Sequence, residues 1–368
     1  MDAVRLFDTN LLNLFRSLLR NTGGSGTAQL RAGKVIKRFL ILLSAFLFQR
    51  RQARRRSQTL GRGGIVPPVL ITSITRRCNL NCAGCYSRQL RKDDSKELSD
   101  NRFMDIFTEG LNMGVGVLML AGGEPLLRRS LLERVAALKG PLVPVFTNGT
   151  LLDDDYINLF SSSKLIPIFS IEGHSQFTAR RRGKGIHEGV LEKAGELKRR
   201  GILFGFSITL TSENAEEVLS SEFLQEIETS GAAVLFLVEY VPVTPGTEAL
   251  VLSDQQQDLL TTPGLFDPYR FEAVLLPGDE EQYGGCLAAG RGFIHIADDG
   301  KLEACPFAPF SDVSVADRSL AEALDSPLMK AIREHHNELT ETKGGCALWN
   351  KRGWVAGLGT CSNRVGAF

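Results

Sequence analysis

The stretch RRCNLNCAGCYSR, residues 76–88, sets Cys78, Cys82 and Cys85 at the spacing C-x3-C-x2-C. A tetrahedral ion takes four ligands, so three thiols leave one coordination position to something else. The chain has seven cysteines, and the other four, Cys286, Cys305, Cys346 and Cys361, lie in its last quarter. Disulfide pairing of seven leaves one thiol over, and a three-residue gap strains a local bridge. Metal or cluster ligation in a reducing compartment accounts better for a division into three and four.

Around this stretch the chain alternates short β-rich runs with helical ones. VLITSIT (69–75), VGVLMLA (115–121), LVPVFT (142–147), LIPIFSI (165–171), LFGFSITL (203–210) and VLFLVEYV (234–241) have strand length and nearly continuous apolar character. Helical stretches fall between them near 99–112, 130–139, 153–161, 188–200 and 214–229. Continuous apolar strands alternating with helices predict an α/β fold with a parallel sheet covered on both faces. Six such units are too few for a closed eight-stranded barrel and suit a partial, open (β/α)6 TIM-like barrel. The cysteine loop follows the first strand, GGEP (122–125) the second, TNG (147–149) the third and SIEG (170–173) the fourth. Each of the last three motifs, taken alone, reads as a turn or a helix cap. Together they gather at the C-terminal ends of parallel strands, where barrels of this type keep their chemistry.

At 368 residues, 43% hydrophobic and 23% charged, the chain can bury a full core. Its formal net charge of +1 conceals a division, because residues 1–62 carry 13 Lys and Arg against Asp2 and Asp8. A basic arm on an acidic body points to an anionic partner. Within the arm, FLILLSAFLF (39–48) is too short to span a bilayer, and the stronger basic block follows it, unlike a secretory signal. VRLFDTNLLNLFRSLLRN (4–21) places Phe7, Leu11, Leu14 and Leu18 on one helical face. Two such helices suit the cytoplasmic face of a membrane, where each basic residue adds roughly 1 kcal/mol of attraction to anionic lipid. The alternative is a helical hairpin packed on the body with its arginines solvated. Nucleic acid is disfavoured, since the arm's aromatics are all Phe within apolar runs. The linker GRGGIVPP (61–68) then divides a basic arm (1–62) from a core barrel (63–250) and a cysteine-bearing extension (251–368).

With C-x3-C-x2-C followed by the aromatic Tyr86, then GGEP, TNG and SIEG each after a strand, the sequence resembles the radical S-adenosylmethionine (SAM) enzymes. The resemblance covers roughly residues 68–245 and implies a [4Fe-4S] cluster on Cys78, Cys82 and Cys85. Its open iron would chelate SAM, which one electron from a flavodoxin- or ferredoxin-type reductant would cleave to a hydrogen-abstracting 5′-deoxyadenosyl radical. It also implies that Gly122, Gly123, Glu124 and Pro125 receive the SAM amino group, and that Ser170 and Glu172 face the ribose and methionyl parts. Relatives often carry Asp at the second of those positions. Asn148 would add a contact, Arg182 would meet the SAM carboxylate, and the peptide around Tyr86 would pair with adenine. Glu239 and Tyr240, ending the sixth strand, are candidates for substrate contact or for a structural hydrogen bond.

In the last quarter, CLAAGRGFIHIADDGKLEAC (286–305) reads as a β-hairpin turning at Asp298-Asp299-Gly300, which would bring Cys286 and Cys305 together. This resembles the SPASM extension of radical SAM enzymes. Only Cys346 and Cys361 follow, as in the shortened twitch form, implying one auxiliary [4Fe-4S] cluster on Cys286, Cys305, Cys346 and Cys361. A four-cysteine zinc site fits the same spacing. The histidines, including His295, are assigned no chemistry. No precursor-recognition domain precedes the barrel, so a hydrophobic or membrane-borne substrate is expected, with a peptide or protein maturase as the alternative and a non-catalytic iron-sulfur carrier as a third reading.

Overall fold

The structure is a computed structural model that describes residues 2–21, 32–90, 95–276, 282–340 and 346–358. Cys361 lies outside them. Nine strands, β1 (Val69–Ser73), β2 (Val117–Ala121), β3 (Val143–Thr147), β4 (Leu165–Ile171), β5 (Gly205–Leu210), β6 (Val234–Glu239), β7 (Glu272–Leu276), β8 (Phe293–Ile296) and β9 (Leu302–Glu303), form one sheet in the order β7-β6-β5-β4-β3-β2-β1-β8-β9. All neighbours from β7 to β8 pair in parallel, and β9 turns back antiparallel on β8. The expected partial barrel is therefore present as β1–β6. It is extended by β7 at one edge and by the β8–β9 hairpin at the other.

Helices α1 (Asp2–Asn21) and α2 (Ala32–Leu60) precede the sheet. The connections carry α3 (Tyr86–Leu90), α4 (Asp100–Met113), α5 (Arg129–Ala136), α6 (Asp154–Ser162), α7 (Ser175–Arg182), α8 (Ile186–Arg200), α9 (Ala215–Val218), α10 (Ser221–Ser230) and α11 (Asp254–Leu260). Local chemistry sets their ends: Ser99, Asp153 and Ser220 cap α4, α6 and α10 through their side chains, and Gly201 ends α8 in the left-handed region at φ +73°. One sheet face packs Leu118, Leu120, Phe169 and Phe206 against this helical layer, including Phe103 and Phe107 of α4. The other face is the barrel lumen, where Phe146 of β3 meets Phe236 of β6 edge-on, ring centroids 5.1 Å apart.

The arm lies across the N-terminal ends of the strands as a floor. Gln52 Nε2 of α2 donates to the carbonyls of Leu111 and Val115, both at 2.7 Å, and Gln49 Nε2 to Gly116 O just before β2. Asn21 of α1 reaches Arg270 O, just before β7, at 2.8 Å. Phe15, Leu42 and Ala45 bury themselves against Leu142 and Leu203 at the feet of β3 and β5. The expected apolar run is the middle of one 29-residue helix, because the flanking Lys, Arg and Gln are good helix formers and Gly61 is the first breaker. Arg56 is buried, donating to Asp8 Oδ1 from Nε at 3.0 Å and to Gly114 O, which joins α1, α2 and the end of α4. No helix among the described residues is long and apolar enough to cross a membrane.

Burial pushes the Asp8 carboxyl up, and the Arg56 guanidinium opposes it. Asp8→Ala leaves Arg56 buried without its anion and should lower stability by about 3–5 kcal/mol. Asp8→Leu/Arg56→Met should recover most of that loss; urea-unfolding midpoints of the three proteins check both.

Candidate functional site at the C-terminal ends of the strands

The loop after β1 carries Cys78, Cys82 and Cys85, and its base is held from three sides. Thr75 Oγ1 donates to Glu97 at 2.7 Å, as does Arg76 N at 3.0 Å. Arg76 Nε reaches Asp298 Oδ2, at the turn of the β8–β9 hairpin, at 2.6 Å. Gly123 N and Glu124 N donate to the carbonyls of Thr75 and Arg77 at 2.7 and 2.8 Å. This last contact explains the two glycines. A Cβ on Gly122 would lie 2.3 Å from Thr75 O, and one on Gly123 only 2.1 Å from Arg77 O.

Glu124 is fully buried, and its carboxylate accepts from Leu126 N at 2.9 Å, Thr147 Oγ1 at 2.7 Å and Asn148 N at 2.8 Å. Burial raises its pKa and these donors oppose the rise. The GGEP turn thus ties the cysteine loop to the end of β3, and Pro125 opens a 3-10 turn behind it. Asn148 sits close by, its Nδ2 2.9 Å from Asn79 Oδ1 and 4.0 Å from Cys78 Sγ.

Burial pushes the Cys78 and Cys82 thiols up, and for Cys82 the guanidinium of Arg182 is the main counterweight. Leu80 N donates to Cys78 Sγ at 3.4 Å. Among the described residues no three His, Cys, Asp or Glu side chains close on a single-ion site. Thiolates on separate irons of a cubane stand farther apart than ligands of one ion, and this donor set of soft thiols beside guanidinium groups suits such a cluster with one iron left over.

Glu172, at the end of β4, is buried between two arginines, 2.8 Å from Arg181 NH1 and 2.8 Å from Arg182 Nε. The sequence motif singled out Arg182 for the SAM carboxylate, and its neighbour Arg181 is the second partner of Glu172. Arg181 in fact also clamps the cysteine loop, its carbonyl accepting from Ala83 N at 2.8 Å and its Nε donating to Ala83 O at 3.2 Å. Ser170 is half-buried on the lumen face, in register with Ser207 of β5. Glu239 and Tyr240 part company, as consecutive strand residues must. Glu239 accepts from Gln257 of α11 at 2.6 Å. Tyr240 points its buried hydroxyl toward Gly84 of the cysteine loop, 3.7 Å from where that residue's Cβ would sit, and the hydroxyl has no hydrogen-bond partner among the described residues.

The second cysteine group lies nearby. Cys286, Cys305 and Cys346 are buried, and the Cys305 and Cys346 thiols are hydrogen-bonded. That bond and burial drive Cys305 well up, while Cys346, receiving it with the backbone N–H groups of Trp349 and Leu348, is lowered. The expected fourth member, Cys361, is outside the described residues. Arg291 fastens the Cys286 loop through the carbonyls of Tyr283 and Gly285, at 2.8 and 2.9 Å. The two cysteine groups are linked by Tyr86, which opens α3, and Phe307, their rings 5.0 Å apart. His295, given no role from sequence, is buried on the lumen face between Ser73 Oγ at 2.9 Å and Glu303 Oε2 at 2.7 Å.

Residues 72–223 match the family described as the radical SAM superfamily. The AdoMet-dependent heme synthase of Methanosarcina barkeri is 25% identical over 324 residues, which cover 79% of this chain and 90% of that protein. The Fe-coproporphyrin III synthase of the same organism is 29% identical over 155 residues, covering 41% of this chain and only 39% of its own length. Among solved structures, SuiB of Streptococcus suis bound to S-adenosylmethionine superposes with a TM-score of 0.62 at 15% identity, over 83% of this chain and 79% of that one, which shows the shared fold. The matched residues run from the end of β1 into α10 and so take in the cysteine loop and every strand from β2 to β5. Residues 72–223 thus carry the match to the radical SAM superfamily, and the relatives that the chain resembles are enzymes.

Proposed function

We propose that this protein reductively cleaves SAM and uses the resulting radical to abstract hydrogen from a hydrophobic substrate. The observation that carries the reading is the loop that bears Cys78, Cys82 and Cys85 with its brace, the GGEP backbone packed directly on the start of that loop. A [4Fe-4S] cluster bound by Cys78, Cys82 and Cys85 would supply one-electron cleavage of SAM and a 5′-deoxyadenosyl radical. The residues around it orient the cofactor. Because the Glu124 carboxylate is committed to Leu126, Thr147 and Asn148, its part is to hold the turn, and the backbone carbonyls of Gly122 and Gly123 are left to take the SAM amino group. Arg182, anchored by Glu172, is the cation for the SAM carboxylate, with Asn148, Ser170 and the peptide of Tyr86 completing the pocket. Cys286, Cys305 and Cys346, with Cys361, hold an auxiliary [4Fe-4S] cluster, for which three buried thiols drawn together are the support.

Two observations favour a hydrophobic substrate. The lumen is walled by Ile71, Met119, Phe146 and Phe236, and one of the relatives matched along most of both chains is named as a heme synthase. A peptide substrate is the second reading, favoured by the likeness to SuiB, which has been crystallised with its precursor peptide SuiA. The arm adds a place of work. Ile36, Leu40 and Leu47 of α2 are 58%, 55% and 54% exposed on one outward face that continues into the exposed Arg50, Arg51 and Arg54, a surface suited to anionic lipid on the inner face of a membrane. A flavodoxin- or ferredoxin-type protein is the expected reductant.

In anaerobically reconstituted protein with SAM and dithionite, the wild type should form 5′-deoxyadenosine. A Cys78→Ala/Cys82→Ala/Cys85→Ala variant should form none while losing about four irons and keeping the auxiliary four. No cleavage by the fully loaded wild type would overturn the reading. Glu124→Ala orphans three buried donors and should cost about 3 kcal/mol in urea unfolding, with SAM binding weakened in parallel.

A further inference from the structure

Beneath the sheet, between α2 and the feet of β4 and β5, lies a cleft of about 420 Å3 counting its open mouth. Its charged lining is wholly cationic: Lys34, Lys37 and Arg38 from α2, Lys164 before β4, and Arg200 at the end of α8. Arg200 is compensated by Asp154 and Glu196. The three lysines instead donate to neutral carbonyls, Lys34 to Arg199 O and Lys37 to Ser161 O at 2.6 Å, and Lys164 to Gly140 O at 3.2 Å. Those bonds help to end α8 and α6 and use one of the three protons that each ammonium can donate. Gly201 at the floor is shaped for this approach, since a Cβ there would lie 2.9 Å from the Lys34 Cβ.

Arg38 is different. It is only 8% exposed, and its Nε makes no hydrogen bond with any described residue. Burial lowers its pKa to about 10, so it stays charged at neutral pH. A buried guanidinium without an anion is costly, and four cations converging without a carboxylate compound the cost. An oxyanion seated among them would remove it, and a fork of guanidinium donors ringed by ammonium groups is the chemistry that recognises phosphate.

We propose that this cleft binds a phosphate group, with Arg38 as its principal ligand and Lys34, Lys37 and Lys164 around it. The site is on the opposite end of the barrel from the cysteine loops and does not depend on radical chemistry. Two sources present the same group: a soluble phosphate, or the headgroup of an anionic lipid.

The test uses the full chain in three forms: wild type, Arg38→Leu, and Arg50→Gln/Arg51→Gln/Arg54→Gln, the last altering exposed arginines outside the cleft. In one arm Tm is followed as inorganic phosphate replaces chloride at constant ionic strength. In the other, flotation is compared on phosphatidylcholine vesicles with and without phosphatidylglycerol. Arg38→Leu should melt no lower than wild type in chloride and should weaken, at least about tenfold, the saturable response to phosphate, to phosphatidylglycerol, or to both. A difference confined to phosphate assigns a soluble ligand, and one confined to vesicles assigns the headgroup. Equal responses of wild type and Arg38→Leu in both arms, including vesicle binding lost only in the triple variant, overturn the proposal. Lys164→Gln, on the facing wall, makes the same comparison if Arg38→Leu does not fold.

Discussion

The structure turns on a backbone contact that tolerates no side chain. Where β1 and β2 end, residues 122–124 lie directly on 75–77, joined by two short N–H to carbonyl bonds, and a single methyl group at Gly122 or Gly123 would occupy the place of an oxygen. The strand that delivers the first thiol is fixed by this contact. Glu124 then passes the constraint on to β3 by taking three donors from its end and from its own turn. The loop of three cysteines is in this way fastened to the ends of three parallel strands, the kind of support that holds ligating side chains in place.

The opposite end of the barrel is organised by charge. An arm of strongly basic composition spends its glutamines, an asparagine and lysines on carbonyl groups at the feet of strands and the ends of helices, which otherwise lack partners. Its apolar residues are shared between a buried side, Leu42 and Ala45, and an outward side, Ile36, Leu40 and Leu47. The floor is therefore both a structural closure and a surface with its own chemistry.

Much of the fold and the site was legible in the sequence because particular residue types are demanded at particular places. Six apolar runs became β1–β6 with boundaries moved by no more than two residues, and the motifs after the first four fell at their C-terminal ends. The hairpin turn at Asp298-Asp299-Gly300 was legible too, but its pairing with β1 was not, since register with a distant strand leaves no local trace. β7, EAVLL, is as long as β1, β2 and β3, but its apolar run is only AVLL, shorter than the runs that mark the first six strands. Arg181 sits in a run of three arginines that reads as solvated, and only the fold shows that both its backbone and its side chain meet Ala83. The burial of Arg38 and Arg56 was hidden for the same reason, because charge alone argues for water. Glu239 and Tyr240 looked equivalent until strand alternation sent them to different neighbours.

The β8 pairing makes β1 an interior strand, hydrogen-bonded along both sides. A chain cut before residue 290 would turn the strand that bears the first cysteine loop into a raw sheet margin, with its amide and carbonyl groups open to other molecules and Arg76 deprived of Asp298. The C-terminal segment is thus woven into the architecture of the first cysteine site instead of being appended to it. Growth or loss of such a segment in evolution would have to proceed together with a new way of sealing that margin.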